Sequence, residues 1–201
     1  VGKENVSDEV VDLFGDIVDI ASDIAELIPV VGPILKSAKI YRSIRDQLFL
    51  SKTKLIFEEM DRASKADMAA FVENLKSDDK LHEFGTNILF LIDKMDDLEK
   101  PVIVGRLFRA AIEKKLKLET AKRIASLVNG VYSPDLKSLW EFRHESIGKN
   151  PDVSATLETA GFLRAVSEDW GNVAGVPSGT TVTYTLNQYG RDLLEFGMSP
   201  N

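Results

Sequence analysis

Cysteine is absent from this 201-residue chain, and histidine occurs only twice, at His82 and His144. The first absence removes disulfide frameworks, thiolate zinc sites, iron–sulfur clusters and cysteine nucleophiles together. The second leaves little room for a transition-metal site, because imidazole is the commonest ligand and these two lie far apart with no H-E-x-x-H spacing. No apolar run approaches the roughly 18 residues that a spanning helix requires. The opening VGKENVSDEV has no basic flank leading into an apolar core. Neither a membrane span nor a signal peptide is expected, and a cytoplasmic location is favoured. A G-x-S-x-G elbow, a P-loop and a dinucleotide-binding glycine turn are missing as well. The expectation is a protein without a catalytic centre, metal, cofactor or small-molecule substrate.

An excess of positive charge is also lacking. Lysine and arginine number 25 against 32 aspartates and glutamates, a net charge of −7. Non-specific affinity for nucleic acid comes mainly from cationic side chains displacing counterions, so general binding to phosphate polyanions is opposed. What is present is ample core material, with a hydrophobic fraction of 44 %, ordinary for a chain that folds without staples.

The apolar residues Val10, Leu13, Phe14, Ile17, Ile20, Ile24 and Leu27 recur at helical spacing, and Asp12, Asp16, Asp19, Asp23 and Glu26 take the other face. This predicts an amphipathic helix over residues 7–27, capped by Ser7. Pro29, Gly32 and Pro33 interrupt it. A second helix over 34–50 carries a basic face built from Lys36, Lys39, Arg42 and Arg45. Further helices are expected over 54–62, 65–75 and 80–95, the last with Ile88–Ile92 as a run of buried core. Asp97 should cap the next helix, in which Gly105, Ala110 and Ala111 invite a close neighbour, with Lys114 and Lys115 at its carboxyl end. A helix over 119–128 stops at Asn129-Gly130.

Beyond Gly130 the character changes. Ser133-Pro134-Asp135 opens a helix through LKSLWEFRHESI, with the serine as cap and the proline at the first helical position. A short helix follows over 154–160, stopped by Gly161. Residues 162–166 and 181–186 read as strands around the loop GNVAGVPSG, and Asn187 caps a last helix. The expected fold is mostly α: an all-α helical portion, residues 1–130, followed by a small α+β module, residues 131–201.

The order of these elements, with Ala160-Gly161-Phe162-Leu163 before the loop and Tyr184-Thr185-Leu186-Asn187-Gln188-Tyr189-Gly190 after it, resembles the latter part of a winged-helix domain over about the last third of the chain. The segment DDLEKPVIVGRLFRAAIEKKL resembles uncharacterised helical proteins of bacterial genomes and mobile elements, some of them linked with phage defence. The winged-helix resemblance implies a recognition helix that reads DNA and a wing that touches phosphates. This sequence departs from that pattern where it matters. Ser154-Ala155-Thr156-Leu157-Glu158-Thr159-Ala160 holds no lysine or arginine, and residues 171–183 hold none either. Across residues 131–201 five cations face nine anions. A protein-interaction or structural role for the module is therefore favoured, since a fold does not fix a function.

Three constellations invite a functional reading. The carboxylates Asp93, Asp96, Asp97 and Glu99 could serve as paired acids or a cation site, but they follow no calcium-loop pattern, and caps or solvated surface account for acids at a helix junction. His144, within Glu141-Phe142-Arg143-His144-Glu145, reads as a helix ion pair. The stretch LIPVVGPIL is an uncharged apolar turn followed by cations. Leu27, Ile28, Val30, Val31, Ile34, Leu35, Lys36, Lys39, Arg42 and Arg45 therefore form a candidate interaction or membrane surface, or else a hairpin packed into the core. The leading expectation is a non-enzymatic protein-interaction or regulatory protein that binds a protein partner or itself. The alternatives are a DNA-binding regulator using a basic strip over 36–54 or 114–123, and a membrane-associated effector acting through residues 27–35.

Overall fold

The computed structural model describes residues 44–76, 80–144, 150–170 and 179–199. The expected helix over 7–27, the apolar turn over 27–35 and most of the helix over 34–50 lie outside the described residues. The chain divides into two units, Val1–Ala125 and Ser126–Asn201, each with its own packing. Most of the described residues are helical, and a two-stranded antiparallel sheet lies in the second unit.

In the first unit, α1 (Ile44–Asp61) runs unbroken through Ser51-Lys52-Thr53, where the sequence suggested two helices. The polar triplet does not interrupt the helix because its groups are satisfied within the fold. The buried Thr53 donates its hydroxyl to the Phe49 carbonyl at 2.8 Å, and Lys52 Nζ reaches the Met95 carbonyl. Helix α2 (Lys65–Lys76) opens with Ser64, whose Oγ accepts from the Asp67 amide at 3.1 Å and donates to the Asp67 carboxylate. Helix α3 (Lys80–Lys94) and α4 (Glu99–Ile112) follow. The Asp97 carboxylate accepts from the Glu99 and Lys100 amides at 2.8 and 2.9 Å, the expected cap.

Phe71, Phe84 and Phe108, one from each of α2, α3 and α4, stack edge to face with centroids 5.4 and 5.3 Å apart. Each such pair adds about 0.5–1.5 kcal/mol beyond the burial of its rings. Helix α4 crosses α1 closely because position 105 has no side chain: a Cβ there would lie 2.7 Å from Glu59 Cβ and 2.8 Å from the Ile56 carbonyl. Of the run Ile88–Ile92 only Ile88 and Ile92 are buried, and Phe90 is 62 % exposed. The expectation of a wholly buried run is corrected by helix geometry. Four residues return nearly to the same face, whereas two point to opposite sides.

Helix α5 (Leu118–Asn129) spans the division between the units. In the second unit α6 (Ser133–Lys137) begins at the serine itself, so Ser133 is not the expected cap: Tyr132 holds the cap position in an extended conformation, without a side-chain cap bond. The helix gives way to a 3-10 helix, Ser138–Arg143, instead of the longer α-helix expected. The apolar spacing explains the tighter winding. Leu136, Leu139 and Phe142 are all buried and fall three residues apart, the period that a 3-10 helix stacks on one face. Helix α7 (Pro151–Thr159) starts three residues before the expected position. Asn150 is its cap, accepting from Asp152 and Val153, and Pro151 takes the first turn.

Strands β1 (Leu163–Trp170) and β2 (Gly179–Leu186) pair antiparallel from Leu163↔Leu186 to Trp170↔Gly179. Both are longer than the sequence suggested, since pairing continues from Ser167↔Val182 through Glu168↔Thr181 and Asp169↔Thr180 to Trp170↔Gly179. Helix α8 (Gln188–Asp192) passes into a π-helical turn, Leu193–Gly197.

Two helix ends use the same device with different residues. Gly161, at φ +87°, follows α7, and the Phe162 and Gly161 amides return to the Leu157 and Glu158 carbonyls. Lys114, at φ +59°, follows α4, and the Lys115 and Lys114 amides return to the Ala110 and Ala111 carbonyls. Both are Schellman ends, but only glycine takes the left-handed conformation without steric cost. Lys114→Gly is therefore expected to raise unfolding free energy by about 0.5–1 kcal/mol and Gly161→Ala to lower it by about 1 kcal/mol, as measured by urea denaturation. A stability loss in Lys114→Gly would contradict this reading of the α4 terminus.

Candidate functional site

Only the last of the ten candidate surface residues, Arg45, falls within the described part of the chain; Leu27, Ile28, Val30, Val31, Ile34, Leu35, Lys36, Lys39 and Arg42 lie outside it. Arg45 is exposed on the first turn of α1 and pairs with Asp93 of α3 at 3.1 Å. The pair lines a cleft between the two helices. Leu48, Phe49 and Ile92 with Asp46 and Lys52 complete the lining of a volume of about 260 Å³. Leu48 remains 45 % exposed.

The carboxylates near the α3–α4 junction are not gathered around a common point. Asp93 faces Arg45, Asp96 pairs with Lys100 at 2.6 Å, and Asp97 caps α4. Among the described residues no group of three or more histidine, aspartate or glutamate side chains could hold a metal ion. His82 and His144 are both exposed. No helix among the described residues is long and apolar enough to cross a membrane.

Among the described residues the charged Glu59, Lys100 and Asp192 are buried and were not anticipated; Asp192 accepts from Gln188 Nε2 at 2.6 Å. The side chain of Glu59 is 6 % exposed on α1 and lies among three guanidinium groups: Arg62 at 3.1 Å, Arg106 at 3.4 Å and Arg109 at 3.5 Å. The Lys100 side chain is 1 % exposed and held by Asp96. A sequence signal existed for Glu59 and Lys100. Glu59 sits on the apolar stripe of α1, three residues after Ile56 and four before Ala63, and Lys100 lies four residues before Val104 on the stripe of α4. A charge on an apolar stripe is buried with its partners or the helix does not pack there. Glu59 stands where Gly105 brings α4 against α1, so the carboxylate binds the two helices electrostatically at their closest approach.

In the second unit, α7 turns Asp152, Ala155, Thr156, Glu158 and Thr159 outward and buries Ser154 and Leu157. Its outer face thus offers two carboxylates and no cation. A second, larger cavity of about 550 Å³ lies between the 3-10 helix, β2 and the final turns, with Arg143 and Arg191 on its walls. Arg143 stands over the Trp140 ring, its guanidinium carbon 5.5 Å from the centroid.

Comparison of the chain with protein-family models, with curated proteins and with solved structures finds no match. The geometry of the molecule itself is the ground for a functional reading.

Replacing Glu59 by glutamine keeps its shape and removes the charge that three arginines share. Glu59→Gln is expected to cost about 2 kcal/mol or more of stability, since charge-assisted bonds to a buried carboxylate are lost and like charges are left together. Thermal or urea unfolding checks this, and a change below about 0.5 kcal/mol, the range of ordinary surface substitutions, would contradict it.

Proposed function

We propose that this chain is a non-enzymatic protein-interaction or regulatory protein, and that its second unit is a winged-helix-like module turned to protein contacts. The observation that carries the reading is the α1–α3 cleft. Apolar Leu48, Phe49 and Ile92 and charged Arg45, Asp46, Lys52 and Asp93 line it together. Apolar surface beside charged groups, with Leu48 left 45 % exposed, supports a surface that another protein covers. Arg45 also belongs to the surface that the sequence marked for interaction.

Within the winged-helix reading, α7 takes the recognition position and the β1–β2 hairpin the wing. The acidic outer face of α7 then supports protein contact over DNA, because a reader of phosphates needs cations there. A connection with bacterial mobile elements or phage defence, and a cytoplasmic setting, rest on the resemblance and composition alone.

The reading predicts that Arg45→Glu combined with Leu48→Asp leaves the helical circular dichroism unchanged. The double variant is expected to lose self-association in sedimentation velocity, or to lose a partner recovered by cross-linking in the native host. Duplex DNA and anionic liposomes should bind weakly at low salt and not at physiological salt. DNA binding that persists and falls steeply with salt would overturn the reading.

A further inference from the structure

The larger cavity in the second unit has a chemistry that the interaction reading does not use. Arg143 and Arg191 are two of only five cationic residues between positions 131 and 201, yet both line this one space. Neither forms an ion pair with a carboxylate among the described residues. Arg143 is held against Trp140 instead. Arg191 donates from Nη1 to the Leu186 carbonyl and from Nη2 to Gln188 Oε1 at 3.3 Å. That arrangement fixes the Arg191 guanidinium while leaving part of its five-donor fork unspent. A group fixed before binding loses less freedom when a ligand arrives.

The remaining walls define the ligand further. Among the described residues that line it, Glu195 supplies one negative charge against two arginines, an excess of one positive charge. That balance suits a monoanion better than a phosphate dianion, which Glu195 would repel. Trp140, Leu186 and Leu194 supply apolar surface for the body of the ligand. The volume of about 550 Å³ falls within the roughly 300–1,000 Å³ of small-molecule sites. Leu194 and Glu195 are presented by the π-helical turn Leu193–Gly197, closed by the Met198 amide on the Leu193 carbonyl at 2.9 Å. Such wide turns are rare and are found disproportionately at functional sites.

We infer that this cavity binds a small monocarboxylate with an aromatic or aliphatic body, its carboxylate between Arg143 and Arg191 and its body against Trp140, Leu186 and Leu194. Because the cavity lies wholly among elements of the second unit, the inference stands apart from the α1–α3 cleft and can fail without it.

The test is calorimetric titration of the full chain with 3-phenylpropionate, 3-phenylpropionamide and inorganic phosphate, alongside Trp140 fluorescence in a Trp170→Phe background. The carboxylate is expected to bind at least about tenfold more tightly than the amide, which keeps the body and lacks the charge-assisted bonds. Arg143→Gln should weaken the carboxylate about tenfold or more, again through loss of charge-assisted bonds. Glu195→Gln should tighten it and admit phosphate. Arg191→Lys, which keeps the charge but loses the fork, should weaken binding while circular dichroism shows the fold intact. Equal binding of acid and amide, tighter binding of phosphate by the unaltered chain, insensitivity to Arg143→Gln, or no binding of any probe would each overturn the inference.

Discussion

The second unit depends on one side chain, Asn187, which closes the path of the chain on itself. Its Oδ1 accepts from the Gly190 amide at 3.0 Å and starts α8. Its Nδ2 donates to the Gly161 carbonyl at 2.7 Å and to the Leu163 carbonyl at 3.4 Å, and its backbone amide donates to the Phe162 carbonyl at 3.1 Å. The turn after α7 and the turn before α8 are thereby locked together at the end of the sheet, where Leu163 pairs with Leu186. Gly190 completes the constraint, since a Cβ there would lie 2.4 Å from the Phe162 carbonyl oxygen. The residues Gly161-Phe162-Leu163 and Leu186-Asn187-Gln188-Tyr189-Gly190 are two halves of one joint. Arg191, one residue beyond Gly190, takes its position from that joint.

The first unit has a different governing contact. Gly105 lets α4 approach α1 to backbone distance, and Glu59 lies at the point of approach with Arg106 and Arg109 reaching it from α4. Close approach excludes water, and exclusion of water strengthens the ion pairs while making them costly to break. The arrangement ties the two helices in one register. Around it, the edge-to-face phenylalanines of α2, α3 and α4 fill the core. Leu48, Phe49 and Ile92 form the cleft at the amino-terminal end of α1.

What could be read from the sequence was set by local chemistry. Asp97 and Asn187 as caps, Gly161 as a helix stop and Gly105 as a close-packing position each follow from a side chain acting on its own neighbourhood. The same reasoning placed the cap at Ser133, which lies inside α6, and missed it at Asn150, which accepts from the Asp152 and Val153 amides ahead of Pro151. Features decided by packing were less legible. An apolar residue every third position along Leu136, Leu139 and Phe142 fits an α-helix approximately and a 3-10 helix better, and burial selects the latter. Phe90 was read as core because its neighbours are apolar, whereas helix periodicity turns it outward. Neither cavity was legible, since each is made of side chains from elements distant in sequence: Arg45 with Asp93, and Arg143 with Arg191.

A cap alone and a joint make different demands on residue 187, and one substitution separates them. Aspartate is as good a helix cap as asparagine, because it keeps the accepting oxygen. It cannot donate to Gly161 and Leu163, and it would set a carboxylate oxygen against their carbonyls. The deciding measurement is urea unfolding of Asn187→Asp beside Asn187→Ala. If Asn187 is the joint, aspartate destabilises the chain by roughly 2 kcal/mol, no less than alanine does. If Asn187→Asp retains the stability of the unaltered chain, the side chain is a cap and nothing more, and the account of the second unit is wrong.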